Sequence, residues 1–260
     1  MTASPIRVTS LLNLMRLRED IVRNDGFAHW AGPHARLATE LPNLVEYVQR
    51  QLSNTDHGYW PATPGVETSI DEELRMDGLL EVRATSTPAG LNAIVRMRSA
   101  YLEGREVFDR ALGQLTGAGG GRWWPSRDGD SVRHQTVVLF RRNRSVNGIA
   151  CRQFVDETLG RALYSAGALG LRTYALRTAT KLELIPSSHR GPSSLGRYHA
   201  AIMIDTASRD HLMELLTAPA VSEVVAIQAD TFSAAHAYTV DRSVDVIRDR
   251  KVVSLANQAS

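Results

Sequence analysis

Apolar and polar positions along the chain fall into two stretches in which the same elements follow in the same order. The first stretch begins with an apolar, β-prone run from Val8 to Met15, and the second begins with one from Gln135 to Phe140. A polar loop with a turn dipeptide follows each run, Asp25-Gly26 in the first and Asn147-Gly148 in the second. A helix-like stretch and then a second strand come next in both. The pattern therefore predicts an internal repeat.

The repeat can be placed in register by its aromatic residues. Phe27 aligns with Phe154, an offset of 127 residues that holds without a gap from about residue 8 to residue 52. The same offset pairs Tyr47 with Tyr174, each inside a predicted second strand. Because identity between the two copies is low, the order of elements supports the repeat better than the matched residues do.

The second halves of the two copies also agree. Third strands are predicted from Gly78 to Arg83 and from Ala200 to Asp205. Each is followed by a serine, Ser86 or Ser208, at a position suited to cap a second helix. A last strand is clearest from Ala237 to Val240. The order is therefore β-α-β-β-α-β, and it occurs twice.

This order of elements predicts the fold class. It is that of the ferredoxin-like unit, in which helices cover one face of a four-stranded sheet of order 4-1-3-2. We expect an α+β fold with tandem ferredoxin-like units that form an intramolecular dimeric α+β barrel. The predicted domains are residues 1–116 and residues 132–260, the second with a C-terminal extension. Residues 117–131 are predicted to be a Gly/Trp-rich linker, since their glycine run completes no phosphate-binding motif.

One segment of the first copy, from Gly26 to Tyr47, resembles an EthD-like domain, a branch of the dimeric α+β barrel superfamily. The residues that carry the resemblance are Phe27, Trp30, His34, Leu37, Pro42 and Tyr47. In the second copy Glu157 stands at the position of Trp30, and Arg161 at that of His34. The resemblance implies a ligand cleft in each unit, between sheet and helices. It also implies cyclisation, dehydration, decarboxylation or cofactor-free oxygenation of aromatic, polyketide-like compounds.

Composition narrows the class of protein. The hydrophobic fraction of 43% and the charged fraction of 22% are ordinary for a globular protein, and no run reaches the length of a membrane span. The 30 basic and 28 acidic residues are spread along the chain, so we expect no nucleic-acid partner and no membrane partner. The first 15 residues are too polar for a signal peptide, which predicts a cytoplasmic protein. Cys151 is the only cysteine, so a disulfide within the chain is excluded.

Histidines are the main candidates for chemistry, since His exchanges protons near neutral pH. His34 lies four residues after Trp30, and two interpretations stay open: a catalytic side chain in the cleft, or a His packed under Trp30 and hydrogen-bonded to backbone. In the second copy His199 begins strand three and His236 begins strand four, with His134 opening the strand between them. We expect strands one and three to be parallel, which places His134 and His199 at one end and His236 nearer the other.

The predicted site joins these histidines to nearby aromatic residues. The candidate catalytic residues are His34, His199, His236 and Tyr238. The candidate substrate-binding residues are Trp30, Tyr47, Trp60, Tyr174 and Tyr198, with Trp60 on a long loop that either closes the first cleft or covers the barrel end. No metal site is predicted, because carboxylates at ligand spacing are missing.

The leading functional hypothesis is an enzyme without a cofactor that acts on a hydrophobic, carbonyl-rich, aromatic polyketide-like intermediate. A His would remove a proton next to a carbonyl, and Tyr or Arg donors would hold the enolate. Cyclisation, dehydration or decarboxylation would follow. The alternatives are a non-catalytic small-molecule binder or accessory protein, and a cofactor-free or haem-dependent oxygenase of the same superfamily. The two units form a pseudo-dimer within the chain, and a homodimer of such chains stays open.

Overall fold

The computed structural model describes residues 4–86, 88–89, 92, 104–117, 119–127, 132–177, 182–185 and 198–253. In this part of the chain twelve strands form one continuous sheet whose paired strands are all antiparallel. They are β1 Ile6–Val8, β2 Ser10–Leu17, β3 Leu44–His57, β4 Gly78–Ala84, β5 Phe108–Leu115, β6 Gly121–Trp124, β7 His134–Arg142, β8 Gly170–Ala175, β9 Leu182–Ile185, β10 Ala200–Thr206, β11 Phe232–Arg248 and β12 Lys251–Val252.

The helices of the two halves share a local feature. In the first half, α1 (Arg23–His29) continues through a π-helical segment, Trp30–His34, into α2 (Ala35–Thr39). In the second half, α3 (Gly148–Gln153) continues through a π-helical segment, Phe154–Leu159, into α4 (Gly160–Ala166). The second half also contains α5 (Arg209–Thr217) and α6 (Pro219–Ala226). Short 3-10 turns lie at Glu72–Leu74 and Gln228–Asp230.

The order of strands confirms the predicted fold class. Strands of the first half run β3-β4-β2-β5 across the sheet, and those of the second half run β8-β10-β7-β11. Numbered within its own half, each set reads 2-3-1-4, which is the ferredoxin-like order 4-1-3-2 read from the other edge. The chain is therefore an α+β protein in which two such units share one curled sheet.

Two contacts between the halves turn the sheet into a barrel. On one side β11 pairs with β3, with the register interrupted by irregularities such as the one between Tyr238 and Val240. On the other side the backbone N–H of Arg177, just after β8, donates to the carbonyl of Leu115 at the end of β5 at 2.9 Å. Because both outer strands of each unit meet the other unit, neither unit leaves its second sheet face in water.

Side chains alternate along the strands between the barrel interior and the helix-covered face. The interior is filled from both halves, for example by Leu12, Leu14, Val137 and Met203, all less than 2% exposed. The helix-covered face of the first unit and that of the second unit each hold a separate apolar core. The molecule thus has three cores, of which only the central one needs both units.

Local signals read from the sequence place the second-unit helices. Ser208 caps α5, since its side-chain oxygen accepts from the N–H of His211 at 3.0 Å. Asn147 caps α3 in the same way through the N–H of Ala150, at 2.8 Å. Ser86 accepts from the N–H of Ala89, but most of the helix predicted at 88–100 lies outside the described residues.

The segment predicted as a linker contains a strand. Gly121–Trp124 forms β6, which lies between β1 and β8 and pairs with both. Trp124 is buried in the core of the second unit, while the ring of Trp123 lies under the guanidinium groups of Arg83 and Arg172. The domain boundaries themselves stay a prediction.

Within the described residues no single helix is long and apolar enough to cross a membrane. One bent pair, Arg209–Thr217 with Pro219–Asp230, passes a test of length and composition alone, with 67° between its two parts.

Candidate functional site

The helix-covered face of the first unit carries polar side chains where an apolar surface is expected. Asn13 of β2 pairs with Leu80 of β4, and Leu80 pairs in turn with Gln49 of β3. Residues paired across strands point to the same face, so Asn13 and Gln49 lie in one row with Leu80 between them. Gly113 of β5 continues this row next to Asn13. The row therefore has two amide side chains and one position with no side chain at all.

Several polar atoms on this face have no hydrogen-bond partner among the described residues. They are both amide atoms of Asn13, Oε1 of Gln49, Nε1 of Trp30 and Nδ1 of His34. All four side chains are at most 4% exposed. An unpaired buried polar group costs about 1–3 kcal/mol, so most such groups in proteins are paired. Asn13 and Gln49 on the sheet, with Trp30 against it and His34 at the end of the same helical segment, are therefore candidates for contact with a polar ligand or ordered water.

Trp30 is held firmly against the sheet. Its ring meets the ring of Phe108 edge to face, with centroids 5.7 Å apart, and its backbone carbonyl accepts from Nε2 of Gln49 at 2.9 Å. A Cβ added at Gly78 would lie only 3.0 Å from the indole carbons, so the glycine is what lets the ring approach β4. Gly78 is two residues from Leu80, which places the ring one row away from Asn13.

His34 ends the π-helical segment that starts at Trp30. Pro33 stands inside this segment, where its missing N–H removes one backbone donor. Burial, reinforced by the nearby charge of His29, lowers the pKa of His34 to about 4. The imidazole is therefore neutral at physiological pH, with Nδ1 unpartnered among the described residues. An unpaired Nδ1 does not decide between the two interpretations made from the sequence, a catalytic side chain or a His packed under Trp30, and both stay predictions.

Tyr47 lies on the same face of the first unit, two residues before Gln49 on β3, and it is fully buried in the core that also contains Trp30. Two of the predicted site residues, Trp30 and Tyr47, thus share one core, and His34 is buried at the end of the helical segment that Trp30 begins. Asn13 and Gln49 were missed. For Asn13 a signal was available in the sequence, because its amide stands at the centre of the apolar run from Leu11 to Met15.

The second-unit candidates lie inside the barrel, away from that face. His236 of β11 is fully buried, and its Nδ1 is 2.6 Å from the hydroxyl of Tyr198. Its Nε2 has no partner among the described residues, and burial, aided by the charge of Arg141, lowers the pKa of His236 to about 4. Tyr238 faces the same interior, where its hydroxyl accepts from the N–H of Met76 at 3.3 Å.

The predicted grouping of the second-unit histidines is wrong in its strand directions. β10 runs antiparallel to β7, and Thr206 pairs with His134. The N–H of His199, at the other end of β10, donates to the carbonyl of Phe140 at 2.8 Å. His134 and His199 are therefore at opposite ends, and it is His199 and His236 that lie near the same end of β7. In a ferredoxin-like unit the inserted third strand is antiparallel to the first, which explains the reversal.

The two remaining aromatic candidates, Trp60 and Tyr174, pack and form hydrogen bonds within the folded chain. Trp60 packs edge to face on Phe140 of the second unit, with centroids 5.7 Å apart, and its Nε1 donates to Gln228 at 2.8 Å. The loop that carries it thus covers the second unit and not the first cleft. Tyr174 is fully buried and donates its hydroxyl hydrogen to the carboxylate of Glu81.

A buried charge network in the barrel joins the two units and was not foreseen. Glu81 of the first unit, 0% exposed, is 3.1 Å from Arg50 and 2.7 Å from Arg172 of the second unit. Burial acts to raise the pKa of Glu81, but the two guanidinium groups and the hydroxyl of Tyr174 bring it below its ordinary value. Arg50 also donates to Gln135 of the second unit at 2.8 Å. The network therefore joins the two halves of the chain through buried ion pairs and hydrogen bonds.

Metal and haem chemistry can be tested against the described residues. No three side chains of His, Cys, Asp or Glu come together there in a group that would hold a metal ion. A cavity of about 730 Å³ lies beside α3, and none of the histidines that the structure describes lines it, so the described residues offer a haem no histidine ligand there. The residues of this cavity do not fit a haem.

Comparisons with known proteins agree with the fold. No family model matches the chain, and no curated protein matches it. Among solved structures, a candidate monooxygenase from Lactobacillus acidophilus NCFM matches over 96% of this chain and 99% of its own, with 7% identity and a TM-score of 0.51. A candidate monooxygenase from Fusobacterium nucleatum subsp. nucleatum ATCC 25586 matches over 95% of this chain and 100% of its own, with 8% identity and a TM-score of 0.52.

The class of protein follows from these observations. Two ferredoxin-like units that share one barrel define the dimeric α+β barrel fold, here contained in a single chain. At 7% and 8% identity the comparison concerns the fold alone, and the chemistry has to be argued from the site.

Proposed function

We propose that this chain is an EthD-like enzyme of the dimeric α+β barrel class. In this proposal it oxygenates a hydrophobic, carbonyl-containing aromatic compound, without a cofactor, on the helix-covered face of the first unit. The observation that supports it best is a set of four buried side chains, each with a polar atom that has no partner in the described part of the chain: Asn13, Trp30, His34 and Gln49. The monooxygenase names of the two structures of similar fold favour oxygenation over the cyclase or lyase chemistry expected from the resemblance.

Each of these residues has a role that its chemistry suits. His34 is neutral, so it can take a proton from a carbon next to a carbonyl. The anion that forms would raise the pKa of the imidazolium and so stabilise the transferred proton. Nδ2 of Asn13 and Nε1 of Trp30 are donors that would hold the enolate or phenolate oxygen, as donors in an oxyanion hole do. Phe27 and Phe108 supply an apolar surface around them.

The reaction balances without an external reductant. His34 takes a proton from the substrate methylene, and the electron pair left on carbon forms a bond to dioxygen. The peroxide oxygen takes up a proton to give a hydroperoxide, which then loses water. One CH2 group and one O2 molecule thus become one C=O group and one H2O molecule, with the substrate carbon oxidised and dioxygen reduced.

The test uses dithranol, an aromatic ketone whose methylene group is acidic. Oxygen uptake by the purified protein is followed with an oxygen electrode, together with the absorption spectrum of the protein as purified. We expect one O2 consumed per dithranol, and a loss of at least about tenfold in turnover for H34Q and for N13L, a size typical of a lost base or oxyanion donor. The matched control is H211Q, on the half-exposed surface of α5.

Three results would count against the proposal. An unchanged rate in H34Q would remove the proposed base. Tight binding of dithranol with no oxygen uptake would favour the non-catalytic binder. A haem absorption band in the purified protein would overturn the cofactor-free chemistry.

A further inference from the structure

A second feature of the molecule shares no residue with the first-unit site and is unused by the proposed reaction. The cavity of about 730 Å³ is bounded by β1, the glycine-rich segment before β6, the start of the long second-unit helix and the end of β8. Four of its twelve lining residues are arginines, Arg7, Arg122, Arg152 and Arg177, and only Glu157 is acidic. Its volume is within the range of small-molecule sites, about 300–1,000 Å³.

One buried carboxylate holds two of these arginines, and Nη2 of Arg122 also donates to Glu157 at 2.9 Å. Asp156, 0% exposed, is 3.0 Å from Nε of Arg122 and 3.3 Å from Nε of Arg152, and it accepts from the hydroxyl of Thr173 at 2.6 Å. Arg152 also donates from Nη2 to the carbonyl of Gly119 at 2.6 Å. Such pairing orients a guanidinium before a ligand arrives, so less rotamer freedom is lost on binding.

Glycines of the linker segment shape the arginine side of the cavity. Gly117 has a φ of 71°, and a Cβ added there would lie 2.7 Å from Cδ of Arg177. Gly119 has a φ of 59°, and an added Cβ would lie 3.6 Å from the side chain of Arg7. Gly117 thus lets the side chain of Arg177 lie against the backbone, whereas at Gly119 it is the positive φ, and not the contact with Arg7, that favours glycine.

The remaining wall is partly apolar. Leu176, at the end of β8, is buried, and Ile149, on α3, is 73% exposed. A large exposed aliphatic side chain beside a cluster of guanidinium groups suits a ligand with an anionic head and an apolar body.

We infer that this cavity, the arginine groove, binds a small organic anion whose phosphate or carboxylate group meets Arg7, Arg122 and Arg152 and whose apolar body lies against Ile149 and Leu176. The inference does not depend on the proposed oxygenation, since the groove and the first-unit site share no residue. Planar guanidinium groups recognise both phosphate and carboxylate, so the head group is settled by experiment.

The test measures binding by isothermal titration calorimetry in low-salt buffer. The probes are 1-naphthyl phosphate, 1-naphthoate and the uncharged 1-naphthalenemethanol. We expect one or both anions to bind with one equivalent, the uncharged probe to bind at least about tenfold more weakly, and affinity to fall with added salt. The head group that binds more tightly identifies the source of the anion as an organic phosphate or a carboxylate.

Two arginine variants and one isoleucine variant locate the site, and a third arginine variant is the control. R7Q and R152Q are expected to weaken binding of the preferred anion by about three- to tenfold, the loss of one charge-assisted hydrogen bond at an accessible position. I149S is expected to weaken binding of the naphthyl anions. Binding of inorganic phosphate, titrated in the same way, is expected to be unaffected. R36Q removes an exposed arginine from α2 of the first unit and is the matched control, with no change expected. The inference is overturned if neither anion binds, or if R7Q and R152Q bind as tightly as R36Q.

Discussion

The two buried histidines make the folded chain sensitive to acid in a way that can be assigned to single residues. His34, beside the first-unit sheet, is 4% exposed, and His236, in the barrel, is 0% exposed. Burial is the largest cause of the lowered pKa of each, about 4 against an ordinary value of 6.5. When the pKa of a histidine is lower in the folded chain than in the unfolded chain, the folded state has its full stability only at pH values above the pKa of the unfolded chain. That contribution is lost as the pH falls from 6.5 toward 4.

The expected size follows from those two pKa values. Between pH 7.5 and pH 5, each histidine lowers the free energy of unfolding by about 2 kcal/mol, because the unfolded chain takes up a proton that the folded chain does not. Both together remove about 4 kcal/mol, a large part of the roughly 5–15 kcal/mol that stabilises a typical domain.

Urea unfolding followed by circular dichroism at pH 7.5 and pH 5 measures this loss. H34L and H236Q should each reduce the pH-dependent part by about 2 kcal/mol, whatever they do to stability at pH 7.5. Gln at position 236 keeps an acceptor for the hydroxyl of Tyr198 and does not titrate. H211Q, on half-exposed α5, is the control, and between pH 7.5 and pH 5 it should lose as much stability as the parent protein does. If H34L and H236Q both respond to pH as the parent does, the assignment of buried neutral histidines is refuted.

Three further changes test the packing. E81Q leaves Arg50 and Arg172 without their buried carboxylate and should lower the free energy of unfolding by about 3 kcal/mol, measured by urea unfolding; a loss under about 1 kcal/mol would contradict the network. G78A places a Cβ 3.0 Å from the Trp30 ring and should cost about 1–3 kcal/mol and shift tryptophan fluorescence, and an unchanged spectrum would contradict the contact. S208A removes the cap of α5 and should lower stability by about 1 kcal/mol in thermal unfolding, whereas S145A, on an exposed loop, should not.

The strands were predictable because both of their faces pack on cores, so that they stand out in the sequence as short, nearly continuous apolar runs. The third strand of the first unit was expected at Gly78 to Arg83 and is Gly78–Ala84. The last strand was harder: Ala237 to Val240 was expected, and β11 is Phe232–Arg248. Its extra length comes from pairing with β7 over one part and with β3 over another, a tertiary effect that local pattern does not carry.

The candidate site was predictable only where chemistry follows from helical spacing. Trp30 and His34 are four residues apart on one helical segment, and both are buried. Asn13 and Gln49 needed strand register, since they meet through Leu80 of a third strand. Glu81 needed the pairing of the two units, because its partner Arg172 is in the other half of the chain. Its signal was a charge flanked by Leu80 and Val82 in an apolar strand.

The two units use one structural device for two different purposes. Each first helix contains a π-helical segment, a feature frequent at functional sites, and each segment contains a buried polar side chain: His34 in the first unit and Asp156 in the second. In the first unit the result is a neutral base whose Nδ1 has no partner among the described residues. In the second it is a carboxylate that orients Arg122 and Arg152 toward the arginine groove. Because the first unit lacks that carboxylate and the second lacks Trp30 and His34 at the aligned positions, proton transfer and anion binding are proposed in different units.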